Sequence, residues 1–350
     1  MQLKRLTVSH YRNLKKHTFY FSPLLTLVVG VNSVGKTNLL EAIYLLLSGH
    51  GIKEDKQDEL IMTGKKQTII DGDFVEGDYI IRVKVVIDND QFITKKNFVN
   101  GVERRYFEFS KYVPPVVLFT PQLIESLTTE PSRRRGLFDQ MLCTCDIEYK
   151  KRLNNYSSAI TKRNKLLERF ISRETLIQEL SFWNTYLVEQ ATYITEKREE
   201  LATFYNSLRN VGNFTFRMEY VSNPLTLDRL EETLDEQIRR RSTYIGPQRD
   251  DYKIFLNLNG KGSQEFDVEI YGSRSQQRLA LLWVILSQLQ LYKTRLERLP
   301  ILLLDDIFSE LDDINAHLVI DVIKKYQTII TTNNLKIAED IDQQHIVIKL

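Results

Sequence analysis

Apolar and polar positions alternate at residues 2–8 and again at 18–22, as in paired antiparallel strands with one buried face. Residues 25–29, LTLVV, are an unbroken β-rich run that leads into a glycine-containing loop. Residues 38–47, NLLEAIYLLL, are apolar on nearly every side and predict a largely buried helix. Between 67 and 108 three β-rich segments (TIIDGDF, YIIRVKVVI and QFITKKNFV) are separated by Glu-Gly-Asp and Asp-Asn-Asp turns. Asn100-Gly101 marks a further hairpin, so the stretch predicts an antiparallel meander. PPVVLFT at 114–120 predicts one more buried strand.

From about residue 131 to 210 the period changes to that of a helix. Leu153, Tyr156, Ile160, Leu167 and Ile171 form one apolar stripe. Leu180, Trp183, Leu187 and Ile194 form a second after a break near Ser172, which predicts a long helical arm. Strand signals return at 214–220 and 252–258, and a helix follows at 276–291. ILLL at 301–304 has the pattern of a central parallel strand covered on both faces. Residues 328–331 and 345–350 supply two more strands. The fold class expected is α/β, with one domain built from residues 1–121 plus 243–350 and a helical lobe at 122–242 inserted between them.

Composition narrows the picture. The chain has 350 residues, 42% of them hydrophobic, enough for one large core or two smaller ones. No apolar run approaches the length of a membrane span, and the polar–apolar alternation at the N-terminus does not read as a signal peptide, so a cytoplasmic, membrane-free protein is expected. The two cysteines, Cys143 and Cys145, read as reduced thiols, because the five histidines do not cluster into a zinc site. Net charge is only +2, yet three basic clusters stand out: Arg133-Arg134-Arg135, Arg239-Arg240-Arg241, and Lys162, Arg163 and Lys165. Each is either a solvated face or a nucleic-acid contact.

The loop after residue 29 carries the chemistry. Gly30-Val31-Asn32-Ser33-Val34-Gly35-Lys36-Thr37, followed by Asn38, fits G-x-x-x-x-G-K-[ST] without mismatch. At average residue frequencies a chain this long shows the pattern by chance in roughly one case in a hundred. Amides at a helix start face an anion, and the helix dipole assists. Lys36 would reach the β- and γ-phosphates of a nucleotide, and the Thr37 hydroxyl would ligate Mg²⁺. Asp305 and Asp306 follow ILLL, where open α/β sheets bind ligands. Asp305 is the candidate to hold Mg²⁺ through water, and Asp306 to orient or deprotonate the attacking water.

These segments together resemble the RecF family of bacterial recombination mediators, ABC-type ATPases similar to the heads of SMC proteins. The resemblance rests on LKRLTVSHYRNL, GVNSVGKTNLLEAIYLL, PVVLFTP with PSRRRGLFDQML, AITKRNKLL, YIGPQRDDY, YGSRSQQRLALL and PILLLDDIFSELD, which cover nearly the whole chain in the family's order. It implies a P-loop ABC-type ATPase head with an antiparallel subdomain and an inserted arm. It further implies slow, DNA-stimulated ATP hydrolysis with Mg²⁺ and an ATP-dependent homodimer. Binding to gapped or single–double-strand junction DNA is implied too, with RecO and RecR as partners in loading RecA.

In such dimers a signature loop caps the nucleotide of the opposite copy. Here Ser273, Ser275, Gln276, Gln277 and Arg278 occupy the signature, with Ser275 where the family has glycine. Ser309-Glu310-Leu311-Asp312 resembles the loop that crosses the same interface, and Thr332 stands where many ABC proteins have a switch histidine. Arg12 and Asn13 match an N-terminal motif near the nucleotide. Gln122 is either a metal-sensing glutamine or an ordinary surface-loop residue. Arg133, Arg134 and Arg135 are candidates for DNA or interface contacts. Gln248 replaces a motif histidine, and Arg249-Asp250-Asp251 is either a structural ion-pair cluster or a coupler between lobes. Alternatives are a non-hydrolysing ATP-gated clamp or scaffold, suggested by Ser275 and Asp306, and a defence-system ATPase of related fold. A transporter's nucleotide-binding subunit would normally keep the signature glycine and lack so long an arm.

Overall fold

The computed structural model describes residues 1–51, 57–169, 172–258, 265–310, 317, 319–320, 322–333 and 345–350. By packing the chain forms two units, Met1–Pro121 with Gln288–Leu350, and Gln122–Ser287.

The first unit holds two sheets and the helix Lys36–Ser48. One sheet is parallel, in the order His345–Lys349, Leu25–Val29, Thr328–Thr332, Ile301–Asp305, Val116–Phe119. Leu25–Val29, Ile301–Asp305 and Thr328–Thr332 are buried at every residue, as their unbroken apolar or β-branched composition requires. The other sheet is antiparallel, in the order Leu14–Tyr20, Gln2–Tyr11, Gln67–Glu76, Tyr79–Asn89, Ile93–Val99, Val102–Arg104. Its central strand Gln67–Glu76 and residues 83–87 of Tyr79–Asn89 alternate buried and partly exposed residues with period two. Asn100 (φ 49°) and Gly101 (φ 83°) make the left-handed turn into the last hairpin. The meander expected to reach residue 108 stops at Arg104, and Tyr106–Phe109 is a helical turn that buries Phe109.

The helix Lys36–Ser48 is buried from Leu39 to Leu47 because strands of both sheets pack against it. At roughly 2 kcal/mol for each fully buried Leu or Ile side chain, burial of this helix contributes several kcal/mol to the unit. It begins where Leu25–Val29 ends, so the glycine loop lies at the carboxyl edge of the parallel sheet. Asp305 is in register with Thr331, and Val29 with Thr332, along that edge.

The second unit contains the helices Pro131–Cys145, Ile147–Glu168 and Arg173–Ser207. The last two form the expected arm. Arg163 to Asn184 and Arg152 to Glu189 are rungs of an antiparallel helical pair. Ser172 caps the second helix by accepting from the Thr175 amide at 3.3 Å. Of the two predicted stripes, Tyr156, Leu167, Leu180, Leu187 and Ile194 are buried; Ile171 lies outside the described residues. A four-stranded sheet, Phe266–Asp267, Asp251–Asn257, Phe214–Val221 and Asn210–Val211, packs on Arg173–Ser207.

This sheet moves the boundary expected at residue 243. Asp251–Asn257 pairs along its whole length with Phe214–Val221, and the Trp283 ring stacks on Phe216 with 5.2 Å between centroids. Trp283 Nε1 also donates to the Leu208 carbonyl at 2.7 Å. Residues 243–287 therefore pack in the second unit, and the helix Arg274–Leu296 starts in that unit and ends in the first.

Candidate functional site

Within the first unit the glycine loop is shaped by two left-handed residues, Ser33 (φ 66°) and Gly35 (φ 117°). A Cβ on Gly35 would meet Asn13 Oδ1 at 2.8 Å, so both the dihedral and the space demand glycine. Gly30 is equally confined, with Val34 Cγ1 and the Leu350 carbonyl 2.8 and 2.9 Å from where a Cβ would sit. Lys36 folds back over the loop and donates to the carbonyls of Gly30 (2.6 Å) and Val31 (3.1 Å). Val31, Asn32, Ser33 and Thr37 are exposed, and Val34, Lys36 and Asn38 are half-buried. As at any helix start, the first N–H groups after Gly35 have no acceptor within the helix. The loop thus presents amides and an ammonium group to one side, which suits a phosphate chain.

Across the sheet edge, Thr37 Oγ1 donates to Asp305 Oδ2 at 3.0 Å and lies 3.2 Å from Oδ1. Thr331 Oγ1 donates to the same carboxylate at 2.6 Å. The Thr331 hydroxyl also accepts from the Asp306 amide at 3.1 Å, which holds Asp306 in its left-handed conformation (φ 50°). Asp305 is nearly buried and Thr37 is exposed, so the hydroxyl brings the carboxylate's hydrogen-bond network out to the surface of the loop. Such hard oxygen donors match the ligand chemistry of Mg²⁺, which binds through few protein groups and keeps waters and phosphate oxygens for the rest. Among the described residues no group of three or more His, Cys, Asp or Glu side chains could hold a metal by itself.

The turn between the first two strands braces the loop. Asn13 Nδ2 donates to the Val34 carbonyl at 3.1 Å, and Asn38 Nδ2 donates to Asn13 Oδ1 at 2.8 Å. Arg12 (φ 46°) forks onto Glu41, its Nε to Oε2 and its Nη2 to Oε1 at 2.9 Å. Glu41 and Thr331 are the residues of this site that sequence reasoning missed. The signal for Glu41 was a single acid inside NLLEAIYLLL, since a charge in a buried helix needs a partner. Thr332, the last residue of its strand, is buried.

The second unit holds the remaining candidates. Ser273 Oγ accepts from the Gln276 amide at 3.4 Å, and Gln276 Oε1 accepts from the Ser273 amide at 2.8 Å. This reciprocal capping box starts the helix Arg274–Leu296. Ser273 and Ser275 are exposed, and Gln276, Gln277 and Arg278 are half-buried. Gln122 is exposed immediately before the helix Leu123–Thr128. Asp312 lies outside the described residues.

The arginine triplet requires a correction, because its members differ in exposure. Arg133 is exposed and faces Glu125 at 3.5 Å. Arg134 is 2% exposed, forked onto Asp251 at 2.9 Å on both arms and paired with Glu269 at 2.8 Å. Arg135 is half-buried and donates to the Asp250 carbonyl at 2.6 Å. Arg134 is therefore committed inside the unit, and DNA could meet only Arg133 freely.

The other basic clusters divide in the same way. Arg239 and Arg240 pair with Glu236. Arg163 is fully buried and donates to Asn184 Oδ1 (2.8 Å), Gln237 Oε1 (2.5 Å) and Thr243 Oγ1 (2.6 Å); burial pulls its pKa down to about 10. Asp250 and Asp251 are structural anions: Asp250 accepts from Arg198 at 2.7 Å and from the Asn223 amide at 2.6 Å. Gln248 accepts from the Tyr156 hydroxyl and donates to the carbonyls of Ile245 (2.7 Å) and Thr243 (3.2 Å), so it ties the turn to the arm.

Known proteins are similar to this chain along nearly its whole length. Residues 2–349 match the sequence model of the RecF/RecN/SMC N terminal domain. The DNA replication and repair protein RecF of Natranaerobius thermophilus is 30% identical over 96% of this chain and 92% of its own length. Its namesake in Halalkalibacterium halodurans is 30% identical over 98% of this chain and 95% of its own. Among solved structures, the recombination mediator protein RecF-ATPrS in the RecFOR pathway superposes with a TM-score of 0.85 at 27% identity, covering 99% of this chain and 95% of that one. The RecF-ATP structure superposes with 0.81 at 27% identity, covering 95% and 92%. The Smc head domain of Pyrococcus furiosus shares the fold, with a TM-score of 0.54 at 17% identity over 97% and 92%.

Proposed function

Because the chain belongs to the RecF/RecN/SMC N-terminal-domain family, we propose that it is an ATP-dependent DNA-repair protein in which nucleotide joins two copies. The relatives are DNA replication and repair proteins, and the similar solved structures carry ATP or an analogue. The observation that carries the reading is the convergence of the Thr37 and Thr331 hydroxyls on Asp305, with Thr37 directly following Lys36 of the glycine loop.

The chain's own groups divide the work. Loop amides from Gly30 to Asn38 seat the phosphates. Lys36 exchanges its two carbonyl acceptors for phosphate oxygens, and Thr37 with Asp305 would hold Mg²⁺, which would supply positive charge beside the terminal phosphate. Thr331 orients the Asp305 carboxylate by donating a hydrogen bond to it. Asp306, fixed at the strand end, orients the attacking water. Arg12 and Asn13 stand beside the nucleotide.

The exposed Ser273, at the positive end of a long helix, caps the γ-phosphate bound by the second copy, with Ser275 to Arg278 and Asp312 at the same interface. Hydrolysis removes that bridge and opens the dimer; serine at 275 in place of glycine makes turnover slow. The joined surface binds gapped or junction DNA mainly through the backbone, with Arg133 contributing, and binding weakens steeply with salt. RecO and RecR would be partners in loading RecA, in the cytoplasm.

Light scattering with ATP, ADP and no nucleotide tests the reading. Wild-type protein should dimerise only with ATP, and Lys36→Met should stay monomeric. Dimerisation of Lys36→Met with ATP would overturn it.

A further inference from the structure

Arg134 joins three segments that lie in one unit. Its Nε and Nη2 fork onto Asp251, at the start of the strand Asp251–Asn257. Its Nη1 donates to the Leu127 carbonyl at 3.0 Å, in the last turn of the helix Leu123–Thr128, which begins directly after Gln122. The same Nη1 meets Glu269 Oε2 at 2.8 Å. Glu269 belongs to the helix Val268–Tyr271, which ends two residues before Ser273, and that helix packs on Leu123–Thr128.

The link from Glu269 to Ser273 is stiff. Asp267 caps the short helix by accepting from the Glu269 amide at 2.9 Å. The Gly272 amide donates to the Val268 carbonyl at 3.1 Å, and a Cβ on Gly272 would fall 2.4 Å from that oxygen. Gln277 Nε2 reaches the same carbonyl at 3.5 Å. A shift at Glu269 therefore displaces the capping box at Ser273 instead of being absorbed between them.

A guanidinium suits this place, because its planar fork satisfies a bidentate carboxylate on one edge while the other arm serves a carbonyl and a second carboxylate. An ammonium could not hold all three segments in one geometry. The side chain is 3% exposed, whereas Glu269 is 30% exposed, so removing the glutamate breaks one link without leaving a buried charge unpaired.

We propose that Arg134 is a positioning residue: through Glu269 it sets the Ser273 loop relative to the segment that follows Gln122. In this way the loop is held ready for the phosphate bound by a second copy. The proposal rests on the reading that Ser273 caps nucleotide across a dimer. It also accounts for an arginine triplet whose middle member never meets solvent.

The test compares wild type, Glu269→Ala, Arg134→Lys and Glu265→Ala. Glu265 pairs with Arg217 at 2.8 Å on the surface of the same unit and serves as the control. ATP binding to monomers at low protein concentration is read by fluorescence titration, dimerisation with ATP by light scattering over a concentration series, and folding by thermal melts. Glu269→Ala should melt like Glu265→Ala and bind ATP like wild type, yet weaken ATP-dependent dimerisation on the order of tenfold. Arg134→Lys should weaken it further, and Glu265→Ala not at all.

Undiminished dimerisation of Glu269→Ala beside a wild type that dimerises would overturn the proposal and leave the ATP-dimer reading standing. Equal losses in Glu269→Ala and Glu265→Ala, or loss of ATP binding together with dimerisation, would overturn it as well. A wild type that fails to dimerise with ATP would remove both.

Discussion

The Thr37 hydroxyl lies 3.0 Å from Asp305 Oδ2, although 268 residues separate them in the chain. Strand register creates this meeting: Leu25–Val29 and Ile301–Asp305 flank Thr328–Thr332, and all three end at one edge. Asp305→Asn preserves the shape and removes the anion. The variant should lose at least about a hundredfold in Mg²⁺-dependent phosphate release, the range found when one charge-stabilising group is deleted. Binding of ATP measured in EDTA should change little. Chelating Mg²⁺ from wild type should produce the same loss, and a titration of Mg²⁺ in the release assay would reveal both effects.

Asp250 and Arg198 are a pair of another kind, since neither meets solvent. Arg198 also forks onto Asp139 and donates to the Pro247 carbonyl at 2.7 Å; burial opposes its charge, and Asp139 outweighs that and holds the guanidinium firmly charged. Arg198→Met strands two carboxylates in a poorly solvated place and should cost about 3–5 kcal/mol of stability. Asp250→Asn leaves Arg198 its bond to Asp139 and should cost roughly half as much. Urea unfolding monitored by tryptophan fluorescence ranks the two, and the reverse order would contradict this assignment of charges.

Cys143 supplies a pH dependence. Burial, aided by Asp139, pushes its thiol up to about 12. A pKa raised in the folded chain means the native state keeps a proton that the unfolded chain releases near pH 8.5. The thiol's contribution to stability is thus complete below about pH 8 and erodes as pH climbs from there toward 12. In a Cys145→Ser background, iodoacetamide at pH 8 should label Cys143 at least about a hundredfold more slowly in native protein than in urea. Fast native labelling would show that the thiol is not screened as the fold implies.

The parallel strands and the phosphate loop were readable because each is a local pattern with one physical cause. LTLVV and ILLL have no polar face to expose, and Gly35-Lys36-Thr37 has no role in a plain turn. The return of the chain at 243 was misplaced because a strand does not announce its partner. Asp251–Asn257 reads the same whether it joins the ATPase sheet or pairs with Phe214–Val221. The arginine triplet failed for a related reason: three adjacent charges on a helix point in three directions, and only the fold decides that the middle one meets Asp251. Arg12 was legible as a motif residue, but its grip on Glu41 depends on a turn with two positive-φ residues, His10 and Arg12, that composition does not betray.

The strand order of the parallel sheet constrains how the molecule is made. Leu25–Val29 has His345–Lys349 on one side and Thr328–Thr332 on the other, so its neighbours leave the ribosome some 300 residues after it does. During synthesis the segment destined to carry the nucleotide waits as a naked apolar strand with both edges open, the condition most prone to mispairing. Chaperone demand in this protein should therefore concentrate on Leu25–Val29, and a chain halted before residue 300 should be a target for proteolysis rather than a partly working enzyme.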